Sequence, residues 1–137
     1  MRSEHLKALG DLLVGTWTIT GQAKGTTTYE WAEGGHFLIQ RCDITHDGHT
    51  GRGFEVVGHL QPFGEEPQTA IRSRFYGADG ATLDYEYELD GDILTIWGGE
   101  KGSPAYCRCV PADGVIEAAW VWPGGGYTAT LTKETGR

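Results

Sequence analysis

The sequence is short of cations. Its 11 Lys and Arg stand against 19 Asp and Glu, for a formal net charge of -8. A nucleic-acid binder neutralises phosphates with Lys and Arg, so this balance argues against DNA or RNA as a partner. It argues equally against adsorption to an anionic lipid surface. Long apolar runs are missing too. No stretch approaches the roughly 20 residues that a membrane-spanning helix needs. Met1-Arg2-Ser3-Glu4-His5 opens without the apolar segment of a secretory signal. The expected location is therefore the cytoplasm. Cysteine is sparse and odd in number: Cys42, Cys107 and Cys109. The last two lie two apart in a predicted strand and point the same way. That spacing suits neither a disulfide nor a four-ligand zinc site. The usage fits a reducing compartment, with all three thiols structural or incidental and no metal expected.

What the chain has is glycine, 22 of 137 residues, beside a modest 39% of hydrophobic residues. The two together suit many short strands, each with one face exposed, joined by tight turns. One amphipathic helix is expected first, over 3–13, with Ser3 as its cap and Leu6, Leu9, Leu12 and Leu13 on one face. Strands then follow near 14–21, 25–32, 36–45, 53–61, 69–76, 82–89, 92–97, 104–110, 115–122 and 126–133. No linker or repeat interrupts them. The reading is all-β: a single antiparallel up-and-down barrel of about ten strands with one short N-terminal helix, in one domain over 1–137. Closure removes the edges that such a series would otherwise expose.

Turn chemistry assigns faces. Leu89-Asp90-Gly91-Asp92 predicts a two-residue hairpin with Asp-Gly at its tip, pairing Tyr87 with Leu94 and Tyr85 with Ile96. Gly77-Ala78-Asp79-Gly80-Ala81 predicts a three-residue loop that sets Phe75 opposite Leu83 and Ser73 opposite Tyr85. On the other face it brings Arg74 to Asp84 and Arg72 to Glu86, a complementarity not used to choose the turn. The two hairpins share one inner wall of Ile71, Ser73, Phe75, Leu83, Tyr85, Tyr87, Leu94 and Ile96.

In the last strands, Pro111-Ala112-Asp113-Gly114 and Trp122-Pro123-Gly124-Gly125-Gly126-Tyr127 are the turns. Their implied common face carries Tyr106, Arg108, Ala118, Trp120, Trp122, Tyr127, Ala129 and Leu131. Arg108 is the sharpest clue on it. A buried guanidinium is costly unless it meets an acceptor, and a ligand carboxylate or carbonyl would be one. Tyr106 and Tyr127 could add donors, and Trp120 and Trp122 could clamp an apolar body. Alternatively Arg108 pairs with an acid such as Glu30, snorkels to a barrel mouth, or turns outward if the register slips by one. Glu30, if interior, could act as an acid or base. It and Gln40 fall on faces that Glu33-Gly34-Gly35-His36 leaves open. His46-x-x-His49 lies in a Gly-rich turn and is a weak metal signal. Gly98-Gly99-Glu100-Lys101-Gly102-Ser103 does not sit between a strand and a helix, as a phosphate loop would.

At Gly15-Thr16-Trp17, after a short helix and at the first strand, the chain resembles the lipocalins and their calycin relatives. The resemblance implies a Trp17 packed across the closed end of a barrel. Tyr29-Glu30-Trp31-Ala32-Glu33-Gly34-Gly35, Asp84 to Gly91, Leu94 to Ser103 and Trp122 to Tyr127 look like a family of bacterial lipocalin-like proteins. That likeness covers nearly the whole chain and implies a fold without an activity. Fatty-acid-binding proteins, which hold a carboxylate with interior Arg and Tyr on late strands, are similar in kind through Arg108, Tyr106 and Tyr127. Nitrobindin-like barrels hold haem through a His near the start of the last strand. Tyr127 stands there instead, which argues against haem, and no cofactor is expected.

Three functions remain open on the sequence. The first is a barrel that binds a small, largely apolar molecule, with a carboxylate or carbonyl end in view. The second is a barrel-interior cyclase, isomerase or hydratase. The third is a dimeric protein with a packed core and no ligand, the homodimer resting on analogy alone.

Overall fold

The computed structural model describes residues 3–135. Helix α1 (Glu4–Leu13) precedes β1 (Gly15–Gly21), β2 (Ala23–Trp31), β3 (Phe37–His46), β4 (His49–Gly58), β5 (Ile71–Gly77), β6 (Thr82–Asp90), β7 (Ile93–Gly98), β8 (Tyr106–Ala112), β9 (Val115–Trp122) and β10 (Gly125–Lys133). Each strand pairs antiparallel with the next, and β10 returns to β1 through Trp17↔Lys133 to Gly21↔Ala129. The ring is closed. The all-β barrel and its one short helix are as the sequence predicts. Among the described residues, no helix is long and apolar enough to cross a membrane.

Two-residue turns set four of the registers, at β3–β4, β6–β7, β8–β9 and β9–β10. Asp47 and Gly48 have φ of 51° and 78°, and Asp113 and Gly114 have 46° and 78°. Positive φ at both central positions is the hairpin geometry whose twist matches the strands. The first of these turns brings His46 opposite His49, so β4 begins earlier than the predicted 53. The β5–β6 register is the predicted one: Ser73↔Tyr85, Phe75↔Leu83, Arg74↔Asp84 and Arg72↔Glu86. Arg74 grips Asp84 with Nε and Nη2 at 2.6 and 3.1 Å. The pair is exposed, so it selects register more than it adds stability. At β6–β7 the turn is Gly91-Asp92, not Asp90-Gly91, and Tyr87 meets Ile96 instead of Leu94. Gly91, with φ of 62°, takes the first central position, which demands a positive φ. The shift moves the pairing by two residues, so every side chain keeps its predicted face.

At β8–β9 the difference changes faces. With Asp113-Gly114 as the turn, Ala112 pairs with Val115, and partner numbers add to an odd sum along the ladder. Cys107 therefore sits opposite Trp120 and Cys109 opposite Ala118, on the inner wall. Arg108 and Tyr106 pair with Ala119 and Val121 and point outward. Arg108 is exposed, and Tyr106 packs on Trp97 with ring centroids 5.2 Å apart. The expected interior placement of Arg108 and Tyr106 is thus corrected. The face left open for Glu30 and Gln40 is also settled: Tyr29 and Gln40 pair on the inside, while Glu30 lies outside, bonded to Arg41 at 2.7 Å, so it does not reach the interior as an acid or base.

The helix closes one end. Ser3 Oγ accepts the Leu6 N–H at 3.1 Å and lies 2.7 Å from His59 Nε2. It caps the helix and ties it to the β4–β5 connection. Leu6, Leu9 and Leu13 are buried with Trp17, Leu38, Val57, Leu94 and Ile116. Trp17 Nε1 donates to the Leu13 carbonyl at 2.8 Å. This is the place that the Gly-x-Trp resemblance implies for it. Gly10 rests against Trp31, where an added Cβ would overlap the indole ring. Gly→Ala inside a helix ordinarily stabilises by about 1 kcal/mol. Here Gly10→Ala is expected to lower stability instead, read as a lower midpoint in urea unfolding. A raised midpoint would show that the Trp31 ring yields.

Candidate ligand cavity

Closure of ten strands leaves a space at the end opposite α1. It measures about 500 Å³ and reaches a mouth at His46, Asp47, His49, Leu83 and Trp122. That size falls within the usual range for small-molecule pockets. Six of the sequence-predicted site residues meet in it: Phe75, Tyr85, Tyr87, Trp120, Trp122 and Tyr127. Tyr85 and Trp120 lie with ring centroids 6.0 Å apart and tilted by 56°. Trp122 meets Tyr127 edge-on at 6.0 Å, and His46 stacks on the same tyrosine at 4.0 Å. The small side chains of Ala23, Ala118 and Ala129 leave the middle open between these rings.

The floor holds a group that sequence reasoning missed. Glu55 is on the inner face of β4, directly between Gln40 on β3 and Phe75 on β5. It is 6% exposed. Tyr87 Oη donates to Glu55 Oε1 at 2.8 Å. Tyr29 Oη lies 3.0 Å from Tyr87 Oη. Each tyrosine owns one hydroxyl proton, and that of Tyr87 is spent on Glu55. Tyr29 must therefore donate to Tyr87, and both protons run toward the carboxylate. Beside them Gln40 Nε2 donates to Thr27 Oγ1 at 2.8 Å, while Gln40 Oε1 is buried without a partner. Ser73 Oγ is likewise buried without one.

No Lys or Arg among the described residues lines the cavity. Burial raises the Glu55 pKa from its ordinary 4.5, opposed by the nearby Ser73 hydroxyl and by the Tyr87 hydrogen bond. The phenols around it stay protonated. Desolvation, then the Glu55 charge, pushes Tyr29, Tyr85 and Tyr87 well above the ordinary phenol value. Burial pushes Tyr127 up to about 12. Cys42 is raised by burial, and Cys107 by its contact with Cys109 and by burial. The Cys107 and Cys109 sulfurs are 3.7 Å apart on the wall. Among the described residues no His, Cys, Asp and Glu group is arranged to hold a metal ion.

The glycine-rich turn after β7 is already occupied by carboxylates. The Lys101 N–H donates to Glu86 at 3.0 Å, and its ammonium pairs with Glu88 at 2.6 Å.

Glu55 makes a pH prediction. A carboxyl whose folded pKa is raised contributes stability that is fully present below its unfolded pKa and lost as pH rises through the folded pKa. Glu55→Gln keeps an acceptor for Tyr87 and removes the charge. The variant is expected to be more stable than the parent at pH 8, on the order of 1 kcal/mol. That advantage should shrink as pH falls through the Glu55 pKa. Denaturant melts of both proteins from pH 4 to 8 check it; a constant difference would mean that Glu55 titrates normally.

No family model matches the chain, and no curated protein matches it significantly in sequence. The closed ten-stranded barrel with its single short helix fits the calycin-like fold.

Proposed function

We propose that this barrel binds one small, largely apolar, ring-containing molecule in its interior. The observation that carries the reading is the cavity itself. A packed-core protein would fill that volume with aliphatic side chains at close to crystal density. Here alanines stand where large residues would be needed, and aromatic rings supply flat apolar walls. The helix shuts the far end, so entry is from the mouth at the β3–β4 and β9–β10 turns. A lipocalin-like kinship agrees with this use of the fold. An acidic ligand end has lost its expected partner, because Arg108 is on the outer wall.

A second reading, a barrel-interior enzyme, draws on one specific observation. Glu55 and Tyr87 form a hydrogen-bonded acid–phenol pair facing the cavity. A buried carboxyl with a raised pKa is suited to moving a proton in an isomerisation. The binding reading stands first because it needs only the cavity.

The test uses the neutral fluorophore N-phenyl-1-naphthylamine. Saturable binding at one site per chain is expected, with energy transfer from Trp120 and Trp122. Ala118→Phe, which projects a ring into the space, should weaken the affinity at least tenfold, about 1.4 kcal/mol. Arg108→Leu should leave it within twofold. Absence of saturable binding, or indifference to Ala118→Phe in a folded variant, would overturn the proposal.

A further inference from the structure

The geometry points to a protonated amine as the polar end of the ligand, with Glu55 as its counter-ion and the tyrosine and tryptophan rings as its walls. This inference rests on the binding reading and adds the chemical class of the ligand.

Three observations converge on it. The first is charge. The cavity holds one carboxylate at its floor, Glu55, and another at its mouth, Asp47, with no Lys or Arg among its described lining residues. A buried anion without a cation is an unfinished pair. An ammonium group completes it through a charge-assisted hydrogen bond. The second is hydrogen-bond direction. The hydroxyl protons of Tyr29 and Tyr87 are spent in the chain that ends on Glu55. What remains near the carboxylate is a buried acceptor, Gln40 Oε1, and the Ser73 hydroxyl, which can accept as well as donate. A ligand group that donates answers the carboxylate and Gln40 Oε1 together, and an ammonium carries three donors and no acceptor. The third is the wall. Tyr85 and Trp120 stand in tilted contact along the cavity. The faces of such rings attract cations, most strongly when water is excluded.

Alternatives fit less well. A carboxylate ligand would meet Glu55 with like charge and find no cation. A neutral alcohol could donate one hydrogen bond but would leave the Glu55 charge unpaired. A metal ion would need several converging ligands, and none converge among the described residues.

Three probes with one shared two-ring body separate these cases: 2-(1-naphthyl)ethylamine, 2-(1-naphthyl)ethanol and 1-naphthylacetate. Calorimetric titration at pH 7.5 is expected to rank the amine at least tenfold above the alcohol, with the carboxylate weakest. Glu55→Gln should remove the amine's advantage while keeping the alcohol's affinity and the circular-dichroism spectrum. A second measurement needs no variant. Amine affinity should fall as pH is lowered through the Glu55 pKa, while alcohol affinity stays flat. The titratable groups sharing the cavity are Tyr29 on β2, Cys42 and His46 on β3, His49 on β4, Tyr85 and Tyr87 on β6, Cys107 and Cys109 on β8, Tyr127 on β10 and Asp47 in the mouth turn. Loss of the pH dependence in Glu55→Gln assigns it to Glu55 and not to the two histidines.

Equal affinity for amine and alcohol would overturn the amine assignment while leaving the binding barrel standing. So would an amine preference that survives Glu55→Gln, which would place the counter-ion at Asp47. If none of the three probes binds while N-phenyl-1-naphthylamine does, the amine assignment fails alone; if none of the four binds, the binding reading fails with it.

Discussion

The pairing of β10 with β1 is the constraint on which the rest depends. Through it ten strands share one ring, and every inner face looks at the same enclosed space. A ring of about eight strands is just filled by its own side chains. Ten strands enclose more, and the inner positions near the mouth are not given the bulk to fill it: Ala23, Gly51, Ala118 and Ala129 stand among the rings. At the other end the surplus is closed from outside the ring. Leu6, Leu9 and Leu13 enter from the helix and meet Trp17 and Leu38. One end is thus core and the other is cavity. The difference follows from where the bulky aliphatic residues fall along the strands.

Within that enclosure, polarity is assigned sparingly. Burial keeps the phenols protonated, and it also makes the Glu55 charge expensive. Tyr87 answers part of that cost with a hydrogen bond, and Tyr29 supports Tyr87 in turn. Hydrogen bonds from neutral donors stabilise a buried carboxylate less than a full ion pair does. The site therefore stores an unsatisfied electrostatic demand at the floor of an apolar space, where a small molecule can reach it and bulk water reaches it poorly.

The sequence made the barrel legible because its turns are chemically explicit. Asp-Gly and Pro-Gly pairs fall between alternating segments, and the β5–β6 register was checked by Arg72–Glu86 and Arg74–Asp84 on the outer wall. The same logic failed by one residue at Pro111 to Gly114. Grouping Arg108 with Ala118 and Trp120 on one face needs partner numbers with an even sum, and that grouping put Arg108 inside. The two-residue Asp113-Gly114 turn reverses parity and puts the cysteines there instead. Their placement was the better physical choice, because small thiols bury without a partner and a guanidinium does not. Glu55 was hidden for a different reason. On β4 the apolar alternation runs against burial: Phe54 and Val56 face outward at 44% and 36% exposure, and Glu55 faces in. A pattern read for hydrophobicity assigns that strand to the wrong side. The only local correction is Val57, fully buried and two residues along from Glu55 on the same face.

That inversion is also what gives the cavity a direction. Were β4 to follow its apolar residues, Phe54 and Val56 would fill the floor and Glu55 would be one more surface acid on a chain of net charge -8. The strand cannot shift by one to do so, because both of its ladders are fixed elsewhere. The Asp47-Gly48 turn pins it to β3, and the Gly53↔Gly77 contact brings β4 and β5 together where a Cβ added at Gly53 would overlap the Tyr76 carbonyl. Gly53 stands on the inner face two residues from Glu55, so the feature that locks the register also orients the carboxyl. The barrel accepts exposed Phe54 and Val56 on its outer wall, and in return its interior acquires the single floor charge around which tyrosine hydroxyls and aromatic faces are arranged.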